Sequence, residues 1–190
     1  MNDFALYFVT GWQHIISYNA LDHIIFIVAL TAIYAAANYK QVLILVTAFT
    51  IGHSFTLALS VYDIIRLNTN LVEFLIPCTI LTTAFSNFFI KDFKQKSLKF
   101  NYLPALFFGF IHGMGFANSI RFMLIKGDKI ALPLFSFNLG LEAGQILIVA
   151  IILSINYVSV NVAGLKRKYW SWGLSFIAIG IATKMVFERF

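Results

Sequence analysis

Charge is scarce in this sequence. Only 12% of its 190 residues are Asp, Glu, Lys or Arg, while 60% are hydrophobic. A soluble domain carries about 25% charged residues, so a water-soluble globule is excluded and a lipid-embedded chain takes its place. Cysteine is nearly missing. Cys78 stands alone inside an apolar run, so no intrachain disulfide can form and no redox compartment is indicated. With one cysteine and four methionines, the chain argues against a thiolate or thioether route for Cu(I). No basic residue precedes Lys40. The cationic start of a signal peptide is therefore missing, and the first apolar stretch is read as retained. Alternating segments of about 10 residues are also missing, which excludes a β-barrel. The net charge of +6 does not imply nucleic acid, because the cations lie in short connecting stretches, as juxtamembrane charges do.

What is present is apolar sequence in long blocks. Polar or basic breaks at 38–41, 63–70, 91–101, 126–129 and 164–169 separate six segments, roughly 20–37, 41–61, 71–90, 102–123, 131–157 and 170–187. Each approaches the roughly 20 residues that a membrane span requires, and backbone in lipid must satisfy its own hydrogen bonds, so helices are expected. The reading is an all-α polytopic bundle, with residues 1–190 as a single transmembrane domain. Residues 4–19 are apolar but short. They are expected to form a helix that enters the protein without crossing it, although a seventh span or an interfacial helix also fits.

Lysine and arginine give an orientation. One face collects Lys40, Lys91, Lys94, Lys96, Lys99, Lys166, Arg167 and Lys168; the other collects Arg66, Arg121, Lys126, Lys129 and Arg189. Eight against five makes the first face cytoplasmic, with both termini outside and a bacterial inner (plasma) membrane as the expected location.

Against this background, ionisable residues inside apolar segments stand out. A central Asp, Lys or Arg costs about 2.5–3.5 kcal/mol on insertion and usually faces a partner, a cavity or a pathway. Here they are His14, Asp22, His23, His53, Glu73, His112 and Glu142, and they include all four histidines. Thr50, His53, Thr56 and Ser60 recur at helical spacing beside Gly52 and form one polar stripe. His112 is surrounded by Gly109, Gly113 and Gly115, which permit close helix packing. Asn138, Glu142 and Gln145 share a helix face between Gly140 and Gly144. Glu73 lies near a helix start, where the dipole favours an anion.

Asp22 and His23 are adjacent, so they do not share a face within a regular helix. Either each serves a different partner or the helix begins there, with Asp22 on free N–H groups. On one unbroken helix His14 would lie about 12 Å from Asp22, too far to share a metal. A break at Ser17–Asn19 would let it fold back. One membrane histidine alone usually makes an interhelical hydrogen bond, and a Ser/Thr stripe usually serves packing. Four histidines with Asp22 and Glu142 on separate glycine-rich helices make a different pattern. Imidazole and carboxylate suit divalent first-row metals such as nickel, cobalt, copper or zinc.

The stretches "DHIIF", "VTAFTIGHSFTLALS", "GFIHGMGFA" and "FNLGLEAGQ" occur in this order between His14 and Gln145. Together they resemble the HupE/UreJ family of small integral membrane proteins. That family is associated with nickel and cobalt permeases whose genes often accompany those of hydrogenase or urease. The resemblance places the family's Asp-His at Asp22 and His23, and its upstream histidine at His14. The spacing between these two is longer here, and the usual glycine before the Asp-His is replaced near Ala20. The family's Gly-His-Ser falls on Gly52, His53 and Ser54, its His-Gly-x-Gly on His112, Gly113 and Gly115, and its Asn-x-Gly-x-Glu on Asn138, Gly140 and Glu142.

The resulting expectation is a membrane permease for a divalent transition metal ion (nickel, cobalt or zinc). His14, Asp22, His23, His53, His112 and Glu142 would hold the ion near mid-membrane. Thr50, Ser54, Asn138, Gln145 and Glu73 would orient those ligands. The partners are the lipid bilayer and the metal substrate, with no nucleic acid; a homo-oligomer is left open. The alternative is an enzyme, an intramembrane zinc-dependent hydrolase acting on a lipid-like, amide or ester substrate. A structural subunit, whose polar residues only bond between helices, is the third reading.

Overall fold

The computed structural model describes residues 3–90, 102–124 and 130–189. The expected breaks at 91–101 and 126–129 lie outside them, as do the side chains of 117–124. Among the described residues seven α-helices follow in order: α1 (Asp3–Ile16), α2 (Leu21–Thr31), α3 (Tyr39–Val61), α4 (Thr69–Ser86), α5 (Tyr102–Leu124), α6 (Ala131–Asn156) and α7 (Arg167–Arg189). No strand occurs among the described residues. Four helical stretches among the described residues are long and apolar enough to cross a membrane: Ala36–Val61, Thr69–Phe89, Ala131–Val162 and Arg167–Arg189. In α7 only 28% of the apolar window is buried, so most of it faces outward, as a lipid-facing helix does.

The segment expected at 20–37 is not one helix. α2 has 11 residues, about 16 Å, well short of a hydrocarbon core of about 30 Å. Distant side chains take over the backbone groups just beyond it. Arg167 donates to the Ile33 carbonyl at 3.1 Å, and the Ala36 N–H donates to Asn156 Oδ1 at 3.0 Å. These contacts replace helical bonds and stabilise a turn before the 3₁₀ segment Ala36–Asn38.

The other boundary is the chain break. Ser17 is extended, Tyr18–Ala20 forms a 3₁₀ turn, and α1 and α2 meet at 66°. α1 has 14 residues, about 21 Å, and is also too short to cross alone. It lies beside the first half of α6, where Gly140 meets the Phe8 carbonyl and Gly11 meets that of Phe137. At the far end of α6, Asn156 holds the turn after α2. The bent α1–α2 pair thus runs along the length that α6 covers as one helix.

Two helix pairs approach through glycine. In the α1–α6 pair, a Cβ at Gly11 or Gly140 would collide with backbone of the partner helix. In the α3–α5 pair the same holds for Gly52 against Leu106, Gly109 against Phe49 and Gly113 against His53. Thr56 extends that seam by donating to the Phe110 carbonyl at 2.8 Å. Backbone contact of this kind is the usual way helices associate where lipid supplies no hydrophobic drive.

α4 contains Pro77, which has no N–H to offer the Glu73 carbonyl one turn earlier. Arg189, near the end of α7, donates to that carbonyl at 3.3 Å. Arg167 meets Asn38 at 3.3 Å at the opposite end of the bundle.

Candidate metal centre

The break at Ser17 lets His14 fold back toward the start of α2. Its ring centroid is 5.0 Å from that of His23 and 6.3 Å from that of His53. One nitrogen from each of His14, His23 and His53 forms a group whose members all lie within 4.8 Å of one another. Two nitrogens on one ion stand at most about 4.2 Å apart, twice a metal–nitrogen bond, so small side-chain rotations close this group on a cation. His112 adjoins it, with its ring 5.0 Å from that of His23. His23, His53 and His112 are buried, and His14 is half-buried.

The hydrogen bonds show which nitrogens are left over. Asp22 Oδ1 accepts from both the backbone N–H and Nδ1 of His23, each at 2.8 Å. The pairing of these adjacent residues follows from their place in the first turn of α2, where Asp22 meets an uncommitted N–H. With the hydrogen on Nδ1, His23 presents the lone pair of Nε2. Thr79 spends its single hydroxyl hydrogen on the Ile76 carbonyl at 2.7 Å. It therefore accepts from His112 Nε2 at 3.0 Å, and His112 presents the lone pair of Nδ1. Five imidazole nitrogens are buried without a partner: Nε2 of His14, Nε2 of His23, both nitrogens of His53, and Nδ1 of His112. Buried polar atoms are normally paired. A cluster of unpaired imidazole nitrogens has the donor chemistry of a transition-metal site.

Asp22 does more than hold His23. Its second oxygen accepts from Arg189 at 3.2 and 3.3 Å. Pro77 frees the Glu73 carbonyl, Arg189 binds that carbonyl and Asp22, and Asp22 fixes the His23 tautomer. A pocket of about 170 Å³ opens over the group, lined by His14, Asp22, His23, Glu73, His112 and Arg189. Glu73 thus lies at its wall.

Glu142 is not brought into the cluster. Its Oε1 accepts from Thr47 at 2.8 Å in a separate groove of about 460 Å³, which Ser54, Asn138 and Thr50 also line. The helix explains this. Gly140 and Gly144 both face α1, which carries His14. Glu142 is two residues from each, about 200° around α6, and so it faces α3. Thr50 donates to Gln145 Oε1 at 2.7 Å, and the two form an interhelical bond of their own.

Arg189 and Thr79 escaped the reading of the sequence. Nothing local could mark Arg189, since it lies 167 positions from Asp22. Thr79 did leave a signal: with Thr83 it makes a polar pair at i, i+4 in an apolar helix.

Asp22→Asn removes the carboxylate that orients His23 and leaves Arg189 without its anion. Loss of such an orienting partner is expected to weaken the hold of the group on any transition-metal ion by about 10–100-fold. Calorimetric titration of the purified protein checks this, and unchanged affinity would rule out the orienting role.

Neither the curated proteins nor the solved structures yield a match to this chain. A family model described as HupE / UreJ protein matches residues 1–189, essentially the whole length, and the chain belongs to that family.

Proposed function

We propose that this integral membrane protein is a permease for a divalent transition metal ion, with nickel or cobalt as cargo, and that the ion binds among His14, His23, His53 and His112. The family is associated with transport of these metals. The observation that carries the reading is the set of unpartnered imidazole nitrogens at the meeting of α1, α2, α3 and α5. A transported ion needs favourable ligands and a way out, and neutral imidazoles beside an open pocket offer both. The bent α1–α2 pair is read as one span and α3 to α7 as five more. The Lys40 and Arg167 end is then cytoplasmic and the Arg189 end outside.

The test is uptake of radioactive nickel and cobalt by proteoliposomes holding the purified full chain. Saturable uptake of either ion above that of empty vesicles is expected. Protein that binds neither ion and moves neither would sink the proposal.

One observation favours the second reading, a zinc hydrolase. A carboxylate on the far nitrogen of a histidine ligand also accompanies catalytic zinc, and Arg189 beside the pocket could stabilise a developing anion. One equivalent of zinc retained through prolonged dialysis, without transport, would select that reading.

A further inference from the structure

A second pocket, of about 240 Å³, lies at the other end of α4. Thr82, Thr83, Ser86 and Asn87 supply its polar wall, and Phe108 closes its inner side. Thr82 and Ser86 are exposed at the mouth, while Thr83 and Asn87 are buried. It shares no lining residue with the pocket over the histidines, yet the two sit on the same three helices. On α4, Ile76 lines one and Thr83 the other, about 10 Å apart along the axis. On α5, His112 and Phe108 are one turn apart, about 6 Å. On α2, His23 and Leu30 are about 10 Å apart.

The gap has a polar side and an aromatic side. On the polar side, His112 bonds Thr79, and Thr83 donates to the Thr79 carbonyl at 2.8 Å. On the aromatic side, Phe26 is fully buried, with its ring 5.1 Å from that of His112 and 6.0 Å from that of Phe108. The barrier is about one to two helical turns thick.

We propose that this second pocket is a release station for a divalent cation. It offers hydroxyl and amide oxygens, is reached from His112 along α4, and is shut in this conformation by Phe26 and Phe108. The proposal rests on the permease reading. Oxygen ligands hold first-row cations more weakly than imidazole does, so an ion stepping from His112 to Thr83 moves toward release. Asn87 is held by bonds to the Ala29 carbonyl and Ser175, which places the pocket at the Lys40 end of the bundle, opposite Arg189. Passage requires the Phe26 or Phe108 ring to turn.

Two measurements on the full chain test this. Thr83→Val keeps the side-chain shape and removes the oxygen. Equilibrium dialysis should show nickel binding as in wild type, because the histidines are untouched. The nickel uptake rate in proteoliposomes should fall by about tenfold, the value of one strong ion–oxygen contact. The second measurement uses Ser86→Cys in a Cys78→Ser background, labelled by a membrane-impermeant thiol reagent on the Lys40 face. Nickel supplied only on the Arg189 face should slow the labelling, and the slowing should vanish when His53→Leu is added. Normal uptake by Thr83→Val, together with labelling that ignores nickel, would overturn the inference while leaving binding at the histidines standing. Wild-type protein that binds no nickel would remove the permease reading first, and this one with it.

Discussion

His53→Leu should abolish stable nickel binding without weakening the fold. His53 is fully buried, and neither ring nitrogen has a hydrogen-bond partner. A histidine kept for structure would behave in the opposite way. Its removal would strand a partner, at about 1–3 kcal/mol for the group left unsatisfied. Here no partner is stranded, and leucine replaces two unsatisfied nitrogens with apolar atoms of similar bulk. The apo protein should therefore melt at the same temperature or higher. Metal affinity should drop by more than the roughly 10–100-fold that loss of an orienting neighbour costs, because a ligand itself is gone. Elemental analysis and thermal melting in detergent, with wild type alongside, separate the two effects. A variant that keeps its metal, or one that melts far lower with affinity intact, would place His53 outside the metal centre.

The second large effect belongs to the α3–α5 seam. A Cβ at Gly109 would lie only 2.2 Å from the Phe49 carbonyl oxygen. That obstacle is backbone, so a rotamer change cannot relieve it. Gly109→Val must push the helices apart, which also carries His53 on α3 away from His112 on α5. Overpacking in a tight core costs typically 1–3 kcal/mol and sometimes more, and backbone contact puts this site at the upper end. Gly173 and Gly180 on α7 are the matched controls, with nothing within 4 Å of an added Cβ. Gly173→Val should melt within about 1 kcal/mol of wild type, given the poor helix propensity of glycine. Equal melting of Gly109→Val and Gly173→Val would show that the seam does not hold the bundle together.

Much of this was written locally in the chain. Long apolar blocks announce α3, α4, α6 and α7, and Gly52, Gly109 and Gly113 announce a close helix pair. A break near Ser17 was open in the sequence as the one way for His14 to approach Asp22, because a continuous helix could not bring it there, and the structure has that break. What could not be read depends on partners far along the chain. Arg167 and Asn156 settle where the turn after α2 falls. Thr47 on α3 receives Glu142, which the motif alone grouped with the histidines. Helical spacing says which residues share a face, but only the packed bundle says what that face meets.

The link between Asp22 and Arg189 carries a consequence for how the protein is made. The partners are 167 positions apart, so α7 leaves the ribosome after α1 to α6. Until α7 is made, the acid at the head of α2 lacks the Arg189 counter-ion, and His23 is oriented by Asp22 alone. The histidines of α1, α2, α3 and α5 can therefore gather before the carboxylate behind them is braced. That brace arrives when α7 docks and its arginine seats on Asp22 and on the carbonyl that Pro77 left open.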